Sequence, residues 1–254
     1  MRRGIRPSTA QLLLKLRRRG VFFTFHDALE VSGYDKDYLK LILHKLERGG
    51  WIKRIGRGKY VVLPLEAEKE RYTLHEFAVA AILVDPMAIA YWSALHHHGL
   101  TEQIPETVFI QTIARKRTSE VTVFNTRFKI IRVAERKFFG FETLWIEGLK
   151  IAVTDREKTI IDCLDKPHLC GGIGEVYKAL KEELNLKKLV EYLERFGSGA
   201  VAKRLAYLAE QLGLNLEVPA HLIKKGVVPL DPAMPRIGRV HRRLKLLVNV
   251  ELEE

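Results

Sequence analysis

Cysteine is scarce in this chain. Cys163 and Cys170 are the only two, too few for a disulfide framework. Side-chain amides are scarce as well, four Asn and four Gln, beside 29% charged residues. That balance leans toward a thermophile, where thermolabile amides are few and ion-pair networks help. Long apolar runs are missing. Leu12-Leu13-Leu14 is interrupted at once by Lys15, and no stretch reaches the roughly 18 residues that span a bilayer. Met1-Arg2-Arg3 is basic, but no apolar signal core follows it. The expectation is a soluble cytoplasmic protein with no membrane partner. No internal repeat or low-complexity tract is present. Acidic residues fall short too: 31 Asp and Glu face 43 Lys and Arg, a net charge of +12. Such an excess favours an anionic partner.

What is present builds a core. Hydrophobic residues make up 47% of 254, enough for one large domain or two ordinary ones. The charge is uneven. Residues 1–65 hold 15 Lys/Arg and 5 Asp/Glu, whereas residues 66–254 hold 28 and 26. A strongly cationic module therefore precedes a nearly neutral body, with the junction expected at 65/66, in the acidic-turning stretch Pro64 to Arg71.

The module reads as helix, short strand, helix, turn, helix, hairpin. Ser8-Thr9-Ala10-Gln11 is a capping-box pattern, Leu12, Leu13 and Leu16 form an apolar stripe, and Gly20 stops the helix. Val21-Phe22-Phe23 is strand-like. Thr24 caps a second helix that ends at Ser32-Gly33. Asp35 caps a third from Lys36 to Arg48, stopped by Gly49-Gly50. At about 100° per residue, Leu39, Ile42, Leu43 and Leu46 share one face of it. Asp37, Lys40, Leu41, His44 and Arg48 lie opposite, with Lys36 and Lys45 on the flanks. Two β-like runs, Trp51 to Ile55 and Lys59 to Leu63, then flank Gly56-Arg57-Gly58, a hairpin signal. This is the order of a winged helix-turn-helix, whose third helix fits the major groove while cations around it meet phosphates.

The body reads as α+β. Thr73-Leu74-His75-Glu76 is a second capping box, opening an apolar helix that Asp85-Pro86 ends. Tyr91 to Leu100 is a helix closed by Gly99 at C′. Strand-like runs follow at 107–113, 120–124, 128–133, 143–146 and 149–153, with a tight turn at Glu147-Gly148. Asp155 caps the next helix. Further helices are expected near 173–181, 186–196 and 199–212, and one last strand at 239–250. The fold class is thus α+β, a winged helix-turn-helix at 1–65 and a mixed α+β body at 66–254.

Features that suggest chemistry have plainer readings. Consecutive helical residues His96, His97 and His98 point about 100° apart and cannot share one ion. Cys163, His168 and Cys170 match no usual zinc spacing. Gly171-Gly172-Ile173-Gly174 lacks the Lys-Ser/Thr of a phosphate loop. Gly197-Ser198-Gly199 resembles the start of a nucleotidyltransferase site, but no Asp pair follows it. Glu157 and Asp162 read as ion-pair partners for Arg156, Lys158 and Lys166. No catalytic residue, metal ligand or cofactor site is assigned, and a non-enzyme is expected.

The winged-helix order, followed by Tyr91-Trp92-Ser93-Ala94-Leu95-His96-His97-His98-Gly99-Leu100-Thr101-Glu102-Gln103-Ile104-Pro105, resembles the AbiEi-type antitoxins, transcriptional regulators of type IV toxin–antitoxin systems. Ile151 to Asp162 is similar to the family's second signature, a strand entering an Asp-x-Glu-Lys/Arg-Thr helix that closes on Asp. The resemblance implies a repressor that binds inverted repeats in its own promoter. It also implies antitoxin activity in the body against a nucleotidyltransferase-like toxin, without an obligatory stable complex.

Lys36, Asp37, Lys40, Leu41, His44 and Lys45 are accordingly expected at the major groove of double-stranded DNA. Arg48 and the wing residues Arg54, Arg57 and Lys59 are expected on the backbone or minor groove, with Arg2, Arg3 and Arg6 as an arm. A monomer or weak dimer that could bind cooperatively is expected. Two other readings stay open: an enzyme acting on nucleic acid or nucleotides that docks through the winged helix, and a ligand-sensing DNA-binding regulator.

Overall fold

The computed structural model describes residues 5–63, 74–115 and 118–252. Arg2, Arg3, Thr73 and the Pro64-to-Arg71 junction lie outside them. The chain divides into two compact units. One comprises the described residues within Met1–Asp85, with Val123–Asn125 and Trp145–Lys150; the other takes the remainder. The first unit therefore extends past residue 65, through the next helix.

In the first unit, α1 spans Pro7–Arg19. The Ser8 capping box is not used. Proline's fixed φ suits the first helical position, so Pro7 starts the helix and Ser8 falls inside its first turn, with Arg6 as an N-cap that makes no side-chain capping bond. Gly20 ends the helix, and Arg17, Arg18 and Arg19 sit in its last turn, where cations complement the helix dipole. Strand β1 (Phe22–Thr24) leads into α2 (Phe25–Ser32). Thr24 and Asp27 form a reciprocal capping box: the hydroxyl accepts from Asp27 N at 3.1 Å, and the carboxylate accepts from Thr24 N at 2.7 Å. Gly33 closes α2 at φ +66, a left-handed conformation open to glycine.

Helix α3 spans Lys36–Arg48, and Asp35 caps it by accepting from Asp37 N and Tyr38 N at 3.0 and 2.9 Å. Leu39, Ile42, Leu43 and Leu46 are buried against Leu12, Leu13, Leu16, Phe23, Ala28, Ile52 and Val62. Each such aliphatic side chain contributes about 1.5–3 kcal/mol by leaving water. Strands β2 (Ile52–Gly56) and β3 (Lys59–Val62) form the hairpin, and β3 also pairs antiparallel with β1. Gly58 turns the tip at φ +68. Helix α4 spans Glu76–Leu83; its cap is the His75 imidazole, whose Nδ1 accepts from Phe77 N at 3.1 Å.

The second unit carries β4 (Ala88–Ile89), α5 (Tyr91–His97), β5 (Thr107–Thr112), β7 (Thr126–Arg132) and the larger part of β6 (Glu120–Val123), β8 (Phe141–Ile146) and β9 (Leu149–Thr154), whose ends at Val123, Trp145–Ile146 and Leu149–Lys150 are counted in the first. The strands form one mixed sheet in the order β6-β7-β5-β4-β9-β8. Strand β5 runs parallel to β7 and antiparallel to β4, and β4 runs parallel to β9. Glu147 and Gly148, both at positive φ, make the β8–β9 turn. Helices α6 (Arg156–Asp165), α7 (Ile173–Ala179), α8 (Leu186–Phe196) and α9 (Gly199–Gln211) follow. Helix α6 is buried on nearly every side, among Leu95, Val176, Leu189, Leu193 and Leu205.

That burial governs the charges on α6. Asp155 caps it, accepting from Lys158 N at 2.9 Å and from the Tyr192 hydroxyl at 2.8 Å. Lys158 is fully buried and donates to Asp162, as its spacing suggests. Burial pushes the Asp162 carboxyl up to about 6, against the pull of Lys158. Glu157 departs from expectation. It pairs with none of Arg156, Lys158 and Lys166; Lys188 of α8 reaches it at 2.8 Å and Asn185 N at 2.9 Å. The partner comes from another helix, so local spacing carries no sign of it.

The tail is also different. The last strand expected at 239–250 is a hairpin of β11 (Arg239–His241) and β12 (Leu246–Val248), with β10 (Val228–Pro229) parallel to β12. Lys245 at φ +51 lies in the break. A Cβ on Gly238 would run into the Val248 carbonyl. Asn249 fastens the preceding loop: its side-chain amide donates to Asp231 O at 2.8 Å and Pro235 O at 3.0 Å, and its carbonyl accepts from Asp231 N at 3.0 Å.

Two outcomes are expected. Thr24→Ala removes half of the α2 capping box and should cost about 1 kcal/mol, read as a lower urea midpoint. For Glu157, burial raises the pKa, but the bonds from Lys188 and Asn185 outweigh it and leave the carboxyl below its ordinary value of 4.5. A depressed acid stabilises the fold above that ordinary value, and the contribution is lost as pH falls from there through the lower, folded-state value. Glu157→Gln should therefore lower stability at neutral pH and flatten the acid side of a melting-temperature profile.

Candidate nucleic-acid interface

Burying one face of α3 fixes what the other presents. With Leu39, Ile42, Leu43 and Leu46 turned inward, Lys36, Asp37, Lys40, Leu41, His44, Lys45 and Arg48 are all exposed. Leu41 is 58% exposed, a large apolar side chain held in water among cations. Lys40 and Asp37 form an ion pair at 2.8 Å, and the bond from Lys40 holds the Asp37 carboxyl below its ordinary range. Both groups are well exposed, so the pair is weak and readily exchanged for another partner. Tyr38 joins this surface without having been singled out from the sequence. It is 43% exposed and meets Tyr34 edge-to-face at 5.0 Å. Its position one residue before Leu39, beside the apolar stripe rather than opposite it, hid that exposure.

The hairpin places Arg57 at its tip, exposed between Gly56 and Gly58. Arg54 is exposed on β2 and donates from Nε to Gly56 O at 3.2 Å. Lys59 does not join them. Its ammonium donates to Ile82 O at 2.6 Å, with Leu83 O at 3.5 Å, at the C-terminal end of α4. Partial burial there lowers its pKa. Strand alternation puts Lys59 on the opposite side from Tyr60 but does not say what covers that side. Arg6 is exposed at the start of α1; Arg2 and Arg3 lie outside the described residues.

The other chemistry-bearing residues have structural partners. His98 Nε2 donates to Thr154 O at 2.7 Å. Cys163 and Cys170 are buried free thiols, and burial pushes the Cys163 thiol up. Gly172 at φ +98 precedes α7, whose first amide, Ile173 N, already donates to Asp231 Oδ2 at 2.9 Å. A carboxylate from the chain thus occupies the place a phosphate would take. Gly197 closes α8 in the left-handed conformation, and Ser198 caps α9. Among the described residues, no three His, Cys, Asp or Glu are grouped to hold a metal ion. Nor is any helix there long and apolar enough to cross a membrane.

Residues 11–62 match the family model described as transcriptional regulator, AbiEi antitoxin. The match begins within α1 and runs to the end of β3, and it supports a transcriptional-regulator or antitoxin role. No curated protein matches the chain. Among solved structures, the fold is similar to that of the RV2827C protein from Mycobacterium tuberculosis. The TM-score is 0.66 at 16% identity, over 97% of this chain and 92% of that one. At that identity the likeness concerns the fold alone.

The two cations near the wing should separate in a stability measurement. Lys59→Ala, which strips a charged donor from the α4 carbonyls, should cost about 1 kcal/mol or more. Arg57→Ala, at an exposed tip, should stay within about 0.5 kcal/mol of the parent. Equal urea midpoints for the two variants would contradict this assignment.

Proposed function

We propose that the protein is a DNA-binding transcriptional repressor acting on inverted repeats in its own promoter, as the AbiEi family match over the winged helix suggests. One observation carries this reading. The matched stretch presents Lys36, Lys40, His44, Lys45 and Arg48 on the exposed face of a helix of groove-filling diameter, with Leu41 among them. Lys36, Lys40 and Lys45 meet phosphates and base edges. Asp37 and His44 discriminate between bases, and Leu41 packs on a thymine methyl. Arg48, Arg54 and Arg57 hold the backbone, Arg57 reaching a minor groove where a narrow width favours arginine. Arg6, with Arg2 and Arg3 before it, adds an arm. Lys59 is left out of this set because its ammonium faces the α4 carbonyls.

The second half of the proposal is antitoxin activity in the body, directed at a nucleotidyltransferase-like toxin without an obligatory stable complex. What supports it is the antitoxin description of the family matched at residues 11–62 and, for the body itself, the resemblance of its two signature stretches. Protein monomers or weak dimers meeting on an inverted repeat would give cooperative occupancy.

The test is a salt-titrated mobility-shift assay on the protein's own upstream DNA and on a scrambled duplex of equal length. Neutralising about six phosphates predicts a log–log salt slope near −5 on the upstream duplex. Lys40→Ala should abolish the preference for upstream DNA. Arg57→Ala should weaken binding to both duplexes and reduce the slope by about 1. Equal affinity for both duplexes at all salt concentrations would remove the repressor reading.

A further inference from the structure

The first unit contains a cavity of about 490 Å³ between the start of α1 and α3. Ile5, Ile42 and Leu46 supply apolar wall, Tyr38 and Trp51 supply aromatic rings, and Arg6, Lys45 and Arg48 supply three cations. No acidic side chain lines it. Arg6 and Lys45 make no side-chain hydrogen bond or ion pair among the described residues. Like charges gathered around one cavity repel and favour an anion between them. Gly49 shapes the wall, since a Cβ there would stand 2.9 Å from Trp51 Cδ1; the missing side chain lets the indole lie against the end of α3.

We propose that this cavity is a binding site for a small planar aromatic anion. The volume falls in the range of ligand pockets, about 300–1,000 Å³. A flat ring fits beside Tyr38 over the aliphatic residues, where stacking and apolar contact act together. Its carboxylate or phosphate meets Lys45 and Arg6 in charge-assisted bonds. An aromatic carboxylate and a mononucleotide share this chemistry. The site stands on the cavity alone. Its consequence rests on the DNA reading: Arg6, Lys45 and Arg48 belong to the proposed interface, so a bound anion occupies cations that phosphates need and opposes DNA binding.

Isothermal titration calorimetry of the full chain tests the site, with benzoate, adenosine monophosphate, adenosine and inorganic phosphate as separate probes. Saturable one-site binding is expected for benzoate or adenosine monophosphate, with adenosine and phosphate each at least about tenfold weaker. Which of the two aromatic anions binds identifies the source. Lys45→Ala should raise Kd about tenfold through loss of one charged contact, and Tyr38→Ala should also weaken binding. Lys187→Ala, an exposed cation on α8, should leave Kd unchanged. No saturable heat with either aromatic anion overturns the proposal. So does phosphate binding as tightly as the nucleotide, or unchanged affinity in both Lys45→Ala and Tyr38→Ala. Adding the ligand that binds should then release upstream DNA in proportion to its occupancy. A duplex that never shifts sinks the DNA reading and leaves the calorimetric result standing.

Discussion

The apolar seam joining α3 to α1 and the hairpin constrains everything the first unit displays. Leu39, Ile42, Leu43 and Leu46 can leave water only by turning toward Leu12, Leu13, Leu16 and Ile52. Once they do, the rotation of α3 about its axis is settled, and the residues about 180° away must face solvent. The cationic face is thus the reverse side of a packing solution. A hydrophobic stripe of four residues in about two turns allows little freedom in that rotation. The same seam carries Tyr38 to the border between core and solvent, where it lines the cavity beside Lys45.

The second unit is organised around a different constraint, the burial of a charged helix. Helix α6 brings Asp155, Glu157, Lys158 and Asp162 into the interior, and each has to find a partner there. Asp155 takes the helix amides and Tyr192, Lys158 takes Asp162, and Glu157 takes Lys188 and Asn185. A polar network of this kind ties α8 to α6 with geometric specificity that apolar contact lacks.

How much was legible follows from how local each determinant is. Asp35 as a cap, Gly33 as a terminator, the stripe on α3 and the Gly-x-Gly tip all depend on neighbours within a few residues, and each lies where the sequence places it. Pro7 against Ser8 is a local contest that two rules decide differently, and the ring's fixed φ prevails over the hydroxyl cap. The direction of Lys59, the partner of Glu157 and the folding of 239–250 into a hairpin were not legible. Each depends on residues brought from elsewhere in the chain: Ile82, Lys188 and the Val228–Pro229 strand that pairs with β12, respectively. Within the candidate interface, the exposed members on α3 and Arg57 could be read from periodicity. Tyr38 and the cavity could not, because a concave surface needs at least two elements.

The contact between Gly238 and the Val248 carbonyl reaches beyond its own hairpin. No side chain fits at 238 unless β12 moves, and β12 leads directly to Asn249. That amide holds the Asp231 loop, and Asp231 in turn occupies the first amide of α7. A substitution at 238 would thus be transmitted along the tail to a helix start in the core. In a mutational scan, tolerance around this glycine should be far narrower than its surface location suggests. The exposed side chains of Arg236 and Arg239 beside it, by contrast, are open to drift.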